Sequence, residues 1–95
     1  MKYGKFEVGQ LVMTCGIADK MQEIDGYKDV VVRCFRRYIN GDWGDMCDED
    51  KEMNDRAFKN GDDRIFASYE TEFGKIWIIT EWDRSVTTIL LPEEY

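Results

Sequence analysis

Histidine is absent from this chain, proline occurs once, and cysteine appears only three times. Each scarcity closes off some chemistry. Without histidine a hydrolytic triad lacks its usual base, and none of Ser68, Ser85 and the three cysteines stands in the setting of a nucleophile elbow. Cys15, Cys34 and Cys47 are 19 and 13 residues apart, so they offer neither the close pairs of a zinc site nor the even count of a disulfide framework. They read as reduced thiols of a cytoplasmic protein. Long apolar runs are missing too. The opening MKYGKFEVGQLVM holds nothing of signal-peptide length, and stretches such as Ile89 to Leu91 fall far short of the ~20 residues of a membrane span. Spacing leaves room for a carboxylate pair of the glycosidase kind, but 95 residues leave little room for a deep saccharide cleft. The chain reads as a non-enzyme, with no catalytic residue, no metal and no other cofactor expected.

What the sequence has in excess is negative charge, and it is concentrated. Twenty Asp and Glu oppose 13 Lys and Arg, a formal charge of −7. Nine of those carboxylates fall between Asp42 and Asp63 against three bases, Lys51, Arg56 and Lys59, so this segment alone carries −6. The remainder, ten bases against eleven acids, is nearly neutral. A localised field reaches a cationic partner, whereas scattered charge mainly confers solubility. The sign is wrong for gripping phosphate, because nucleic-acid affinity comes largely from Lys and Arg releasing condensed counterions. Direct nucleic-acid binding is not expected. Apolar residues make up 43% of the chain and aromatics 14%, enough for one folded domain over residues 1–95 rather than a disordered acidic tail.

Periodicity divides the chain near Asp63. Phe6 to Met13 fits a short strand weakened at Gly9. Ile17, Met21 and Ile24 recur at helical spacing, predicting a two-turn helix. Asp25-Gly26 breaks the chain and is placed to cap a second helix over Tyr27 to Ile39, whose Tyr27, Val31, Cys34, Phe35, Tyr38 and Ile39 share one face; Asn40-Gly41 stops it. Asp48 is read as the cap of a third helix ending at Asn60-Gly61. Beyond Asp63, Ile65, Ala67 and Tyr69 alternate with Phe66, Ser68 and Glu70; Ile76, Ile78 and Thr80 alternate with Trp77, Ile79 and Glu81; and Ser85 to Leu91 supplies a third strand before Pro92. The expected class is α+β: about three N-terminal helices on one face of a three- to four-stranded antiparallel sheet, its C-terminal part a meander.

Candidate site residues follow from the acidic segment. Asp42, Asp45, Asp48 and Asp50 superficially suggest a calcium loop, but neither Asp42 nor Asp45 begins a frame with oxygen ligands at the EF-hand positions and glycine at the sixth, and capping aspartates are the more economical reading. Asp48 and Glu52, four apart, and Glu52 and Asp55, three apart, share a helix face away from the core, where like charges cost stability unless the helix dipole offsets them. Trp43, between Gly41 and Gly44, is expected to turn its ring inward over the helix junction; its other reading is an interaction anchor among the carboxylates. In the turn from Glu81 to Arg84, a carboxylate pairing with Arg84 is expected to hold the chain. The candidate partner-binding set is Asp42, Trp43, Asp45, Asp48, Glu49, Asp50, Glu52 and Asp55.

Three stretches, GDWGDMCDEDKEMND at 41–55, DDRIFASY at 62–69 and IWIITEWDRSVTTILLPEEY at 76–95, resemble a family of small, mostly uncharacterised bacterial proteins carried on plasmids, phages and integrative elements, with a link to the anti-CRISPR inhibitors of RNA-guided immunity. The resemblance covers roughly the last fifty-five residues and assigns no residue roles. It implies a mobile-element protein that protects its DNA, an anti-CRISPR or anti-restriction inhibitor. On that expectation the acidic patch imitates nucleic acid and occupies a basic groove of a nuclease. The alternative is a small regulatory or structural module that binds another protein of its own element and uses its acidic face for solubility alone.

Overall fold

Alternation and helical spacing sort the chain much as expected, and a computed structural model describes residues 2–3 and 6–95, with side chains from Glu7 onward. In chain order the described elements are strands β1 (Lys2–Tyr3), β2 (Phe6–Glu7) and β3 (Gln10–Met13), helices α1 (Cys15–Glu23), α2 (Tyr27–Ile39) and α3 (Asp48–Asn60), then strands β4 (Ile65–Thr71), β5 (Gly74–Thr80) and β6 (Val86–Leu90), followed by a 3-10 turn over Pro92–Glu94. Strands β1 and β2 form a small antiparallel pair, and the main sheet has the order β3-β6-β5-β4. The class is α+β.

Three expectations need correction. The sheet is mixed: β4, β5 and β6 form the antiparallel meander, but β3 joins β6 in parallel, with Gln10 opposite Val86 and Met13 opposite Ile89. The helices carry the chain from one edge of the sheet to the other, and the meander brings it back running alongside β3. For the same reason the helices occupy the middle of the chain, between β3 and β4, and not its N-terminus. Phe6 to Met13 is also not one strand. It breaks at Gly9, whose φ of 63° is left-handed and where a Cβ would sit 2.3 Å from the Arg84 carbonyl oxygen.

The core lies between α2 and one sheet face. Tyr27, Val30, Val31, Cys34 and Tyr38 on α2 are buried, and beneath them the register aligns Ile65, Ala67 and Tyr69 of β4 with Thr80, Ile78 and Ile76 of β5. Each such aliphatic side chain contributes ~1.5–3 kcal/mol of transfer free energy. Cys34 sits among them at 2% exposure, and burial pushes its thiol up to about 11, with Arg37 and Arg33 pulling the other way. All three cysteines are free, Cys15 and Cys47 at the surface. Helix α2 ends in a Schellman closure: Gly41 N–H donates to the Tyr38 carbonyl and Asp42 N–H to that of Arg37.

Polar atoms cross this core in one chain of hydrogen bonds. The Thr87 hydroxyl donates to the Val8 carbonyl at 2.7 Å, Thr80 and Thr87 hydroxyls are 2.7 Å apart, and the Tyr38 phenol is 2.6 Å from Thr80. A carbonyl only accepts, so the proton order is fixed: Thr80 donates to Thr87, and Tyr38 to Thr80. Truncating the far end should therefore cost less than cutting the near end. Tyr38→Phe is expected to lose about 1 kcal/mol, and Thr87→Val, which strands the Val8 carbonyl and the Thr80 proton together, about 2–3 kcal/mol. Urea unfolding of both variants checks this, and equal losses would contradict the assigned direction.

The C-terminus clasps the start of α1. No side chain of its own caps this helix; Glu94 instead accepts the Thr14 hydroxyl at 2.5 Å and the Gly16 and Leu91 amides at 3.0 and 3.1 Å. These bonds, the Thr14 hydroxyl foremost, hold the Glu94 carboxyl below its usual range. A carboxyl with a depressed folded pKa gives stability that is present above its unfolded value and is lost as pH falls through the folded one. The thermal stability gap between wild type and Glu94→Gln should accordingly be widest near neutrality and close in acid, below the ordinary glutamate range. Melting curves across that range would show a constant gap if the clasp were not ionic.

Candidate acidic interface

The acidic segment divides into charges built into the fold and charges presented outward. Asp42 belongs to the first group. Its carboxylate meets Arg37 in a two-pronged contact, Nε to Oδ2 at 2.8 Å and Nη2 to Oδ1 at 3.3 Å, and also accepts the Gly44 amide at 3.0 Å. Arg37 and this amide hold the Asp42 carboxyl below the usual range, the guanidinium foremost. The Arg37 guanidinium carbon in turn lies 5.0 Å from the Tyr69 ring centroid, and the Tyr69 hydroxyl donates to the Asp42 carbonyl.

Asp45 and Asp55 are also committed. Residues 43–45 run beside the outer edge of β4, where Ser68 N–H donates to the Trp43 carbonyl and Asp45 N–H to the Ser68 carbonyl. The Asp45 carboxylate then takes the Glu70 amide at 2.7 Å. Contact is so close that a Cβ on Gly44, whose φ is 81°, would fall 2.1 Å from the Ser68 carbonyl oxygen. Trp43 is 3% exposed; its indole N–H donates to Asp55 at 2.8 Å and its ring meets Tyr38 and Phe58 edge-on. The inward reading of Trp43 holds, and it presents no surface to a partner.

Asp48, Glu49, Asp50 and Glu52 form the outward group. All four are exposed on the first turns of α3. Asp48 is not the cap expected from residue preference. Cys47 occupies the N-cap position without a side-chain bond, since the stitching of 42–45 to β4 sets where the helix enters, and Asp48, Glu49 and Asp50 lie in the first turn near the positive end of the dipole. Further along the helix, Arg56 and Lys59 bring positive charge to the outward side, four residues after Glu52 and Asp55 respectively. A depression of about 250 Å³ lies at the foot of Asp50, between Met53, Arg64 and Phe66. It is smaller than the ~300–1,000 Å³ of small-molecule sites. Among the described residues, no three His, Cys, Asp or Glu side chains converge as metal ligands would, and no helix is long and apolar enough to cross a membrane.

Two residues that residue preference passes over complete the frame. Asn54, 5% exposed, lays its amide along β4, donating to the Phe66 carbonyl at 2.6 Å and accepting the Phe66 N–H at 3.2 Å. A buried polar residue on the apolar side of a helix was the available signal. Arg84, at a left-handed φ of 61°, forms no carboxylate pair in its turn. Its guanidinium donates to the carbonyls of Ala57, Asp63, Glu81 and Trp82, tying the end of α3 to the β5–β6 turn.

Comparison with protein-family models, curated proteins and solved structures finds no match for this chain.

The division of charges has a direct consequence for mutagenesis. Asp55→Ala should lower stability by about 1 kcal/mol by stranding the Trp43 indole N–H, whereas Glu52→Gln should stay within about 0.5 kcal/mol of wild type. Chemical denaturation of the two variants checks the assignment; equal behaviour would place Asp55 among the outward charges after all.

Proposed function

We propose that this protein is a non-catalytic inhibitor that docks the outward carboxylates of α3 into a basic, nucleic-acid-binding surface of another protein. The observation that carries this reading is the placement of Asp48, Glu49, Asp50 and Glu52 on one exposed stretch of helix whose two ends are fastened to the sheet. At 1.5 Å per residue these four charges, less Lys51, span about 6 Å of axis. A duplex carries one charge per about 1.7 Å, so the density is comparable over this short stretch. That match extends over little more than one helical turn, and so shape must supply the rest of the recognition. The resemblance of residues 41–55, 62–69 and 76–95 to proteins of mobile elements supports a defence nuclease, of the CRISPR or restriction type, as the target.

A second reading draws on Arg56 and Lys59. Their presence after Glu52 and Asp55 is the mixed pattern of an ordinary solvated helix, as expected of a regulatory module whose acidic residues serve solubility alone.

The two readings separate in a displacement assay against a panel of purified CRISPR and restriction nucleases holding labelled nucleic acid. Wild type should displace the label from its target, more weakly as salt rises from about 0.05 to 0.2 M. Replacing Asp48, Glu49, Asp50 and Glu52 by Asn or Gln should weaken displacement by at least about tenfold, about 1.4 kcal/mol. The melting temperature should hold or rise slightly as like-charge repulsion is relieved. Asp55 stays unaltered because it holds Trp43. Undiminished inhibition by the neutralised protein would reduce the patch to a solvated face.

A further inference from the structure

The two edges of the main sheet are treated differently. On β4 the outward groups of Phe66, Ser68 and Glu70 are taken by Asn54, by the backbone of Trp43 and Asp45, and by the Asp45 carboxylate. On β3, Gln10 and Thr14 donate their amides inward to the Ser85 and Ile89 carbonyls. Alternation therefore turns the N–H and C=O of Leu11 and Met13 outward. Among the described residues nothing accepts or donates to them. The strand, Gln-Leu-Val-Met, has none of the lysine or proline that commonly blunts an open edge.

Beside this edge runs an apolar groove of about 420 Å³ between β3 and α2, walled by Leu11, Met13, Val31, Val32 and Phe35. Met13 and Val32 remain 46% and 41% exposed. Among the described residues, charge enters the groove lining only through Lys28 and Arg36 of α2, both exposed. Among the described residues neither closes an ion pair, while Arg33 and Arg37 of the same helix are paired with Glu72 and Asp42.

We infer that the β3 edge and this groove bind an extended segment of another protein, which adds to the sheet as a fifth strand. Outward amides supply the main-chain bonds, and the groove takes the alternate side chains that point toward the helices. Lys28 and Arg36 select carboxylates flanking the apolar positions of that segment. The same pair argues against a second copy of this chain as the occupant, since two-fold pairing of β3 with itself would bring four like charges together. The acidic segment does not repel such a ligand strongly. It lies along the β4 edge, three strand spacings or about 14 Å away, beyond the screening length of about 10 Å at 0.1 M salt. This surface is separate from the acidic face of α3, and neither reading depends on the other.

A displayed library of short random peptides, selected against the whole protein, tests the inference. Selected sequences should alternate apolar residues and carry Asp or Glu at the flanks. A synthetic copy of one should shift the backbone amide signals of Leu11, Met13 and Val32 in the isotope-labelled protein. The double variant Lys28→Glu, Arg36→Glu alters only exposed side chains and should weaken that peptide by roughly tenfold. Met13→Pro, which deletes one outward N–H, should weaken it further than Met13→Ala, which keeps it. Peptides with no charge preference, signals displaced elsewhere, or equal binding by the charge-reversed variant would overturn the proposal. So would concentration-dependent dimerisation in sedimentation accompanied by shifts along β3, which would make a second copy the occupant.

Discussion

Strand β4 ends the sheet, and its outward amides and carbonyls must find partners in the chain, in water or in another molecule. The protein supplies them from within. The loop at 42–45 lies against β4 as a partial extra strand, and the Asn54 amide stands in for one more peptide unit. Much else follows from this contact. It buries Trp43 against Tyr38 and Phe58, draws Asp55 into an indole hydrogen bond, and places Asp42 where Arg37 can grip it. Three of the seven candidate carboxylates are thereby tied into the fold while still exposed, and the four that carry no such bond are those on the helix turn that the loop positions.

A second constraint acts at the centre. Thr80 and Thr87 bring hydroxyls into an otherwise apolar face, and at 0% exposure each needs a complete set of partners. Tyr38 from above and the Val8 carbonyl from the N-terminal segment complete the set. Because the sequence of donors runs one way, α2, β5, β6 and the segment before β3 are fixed relative to one another by bonds that two isosteric apolar residues could not reproduce. The parallel addition of β3 follows directly: with Val8 held over Thr87 and Gly9 turning against Ser85, Gln10 enters the sheet alongside Val86 in the same direction.

Local signals were legible in the sequence and distant ones were not. The α2 face, the glycine stops at Gly41 and Gly61 and the change of period at Asp63 each depend on neighbours within a few residues, and the structure shows them where expected. The direction of β3 depends on a strand at the opposite end of the chain, and periodicity of two is the same for either direction. Gly9 was legible as the weak point of Phe6 to Met13, but the close approach of the Arg84 and Ser85 carbonyls that leaves no room for a Cβ there comes from the far end of the chain. Asp48 has the better capping side chain, but the path of 42–45 fixes Cys47 in the cap position. Arg84 was legible as a turn residue, yet the carbonyls it collects come from three separate segments. In the acidic segment, spacing identified the outward carboxylates and could not separate them from Asp42, Asp45 and Asp55, whose partners lie on α2, β4 and the loop before α3.

Helix α3 would be a poor helix alone. Its buried side chains are Asn54 and Ala57, and Asp48 faces Glu52 at a spacing where like charges repel by a few tenths of a kcal/mol. Favourable placement of Asp48, Glu49 and Asp50 at the positive end of the dipole returns a comparable amount. The balance is settled by the ends. At the start, the loop stitched to β4 delivers the chain into the first turn. At the other end, the Arg84 guanidinium takes the Ala57 carbonyl where the helix dipole is negative, and Gly61 closes the turn with a left-handed φ of 68°. A charged helix held in this way can present carboxylates in a fixed geometry without depending on its own core contacts. On the same arrangement the outward charges should be the replaceable ones: they make no bond that holds the fold, whereas Asp42, Asp45, Asn54, Asp55 and Arg84 keep the frame.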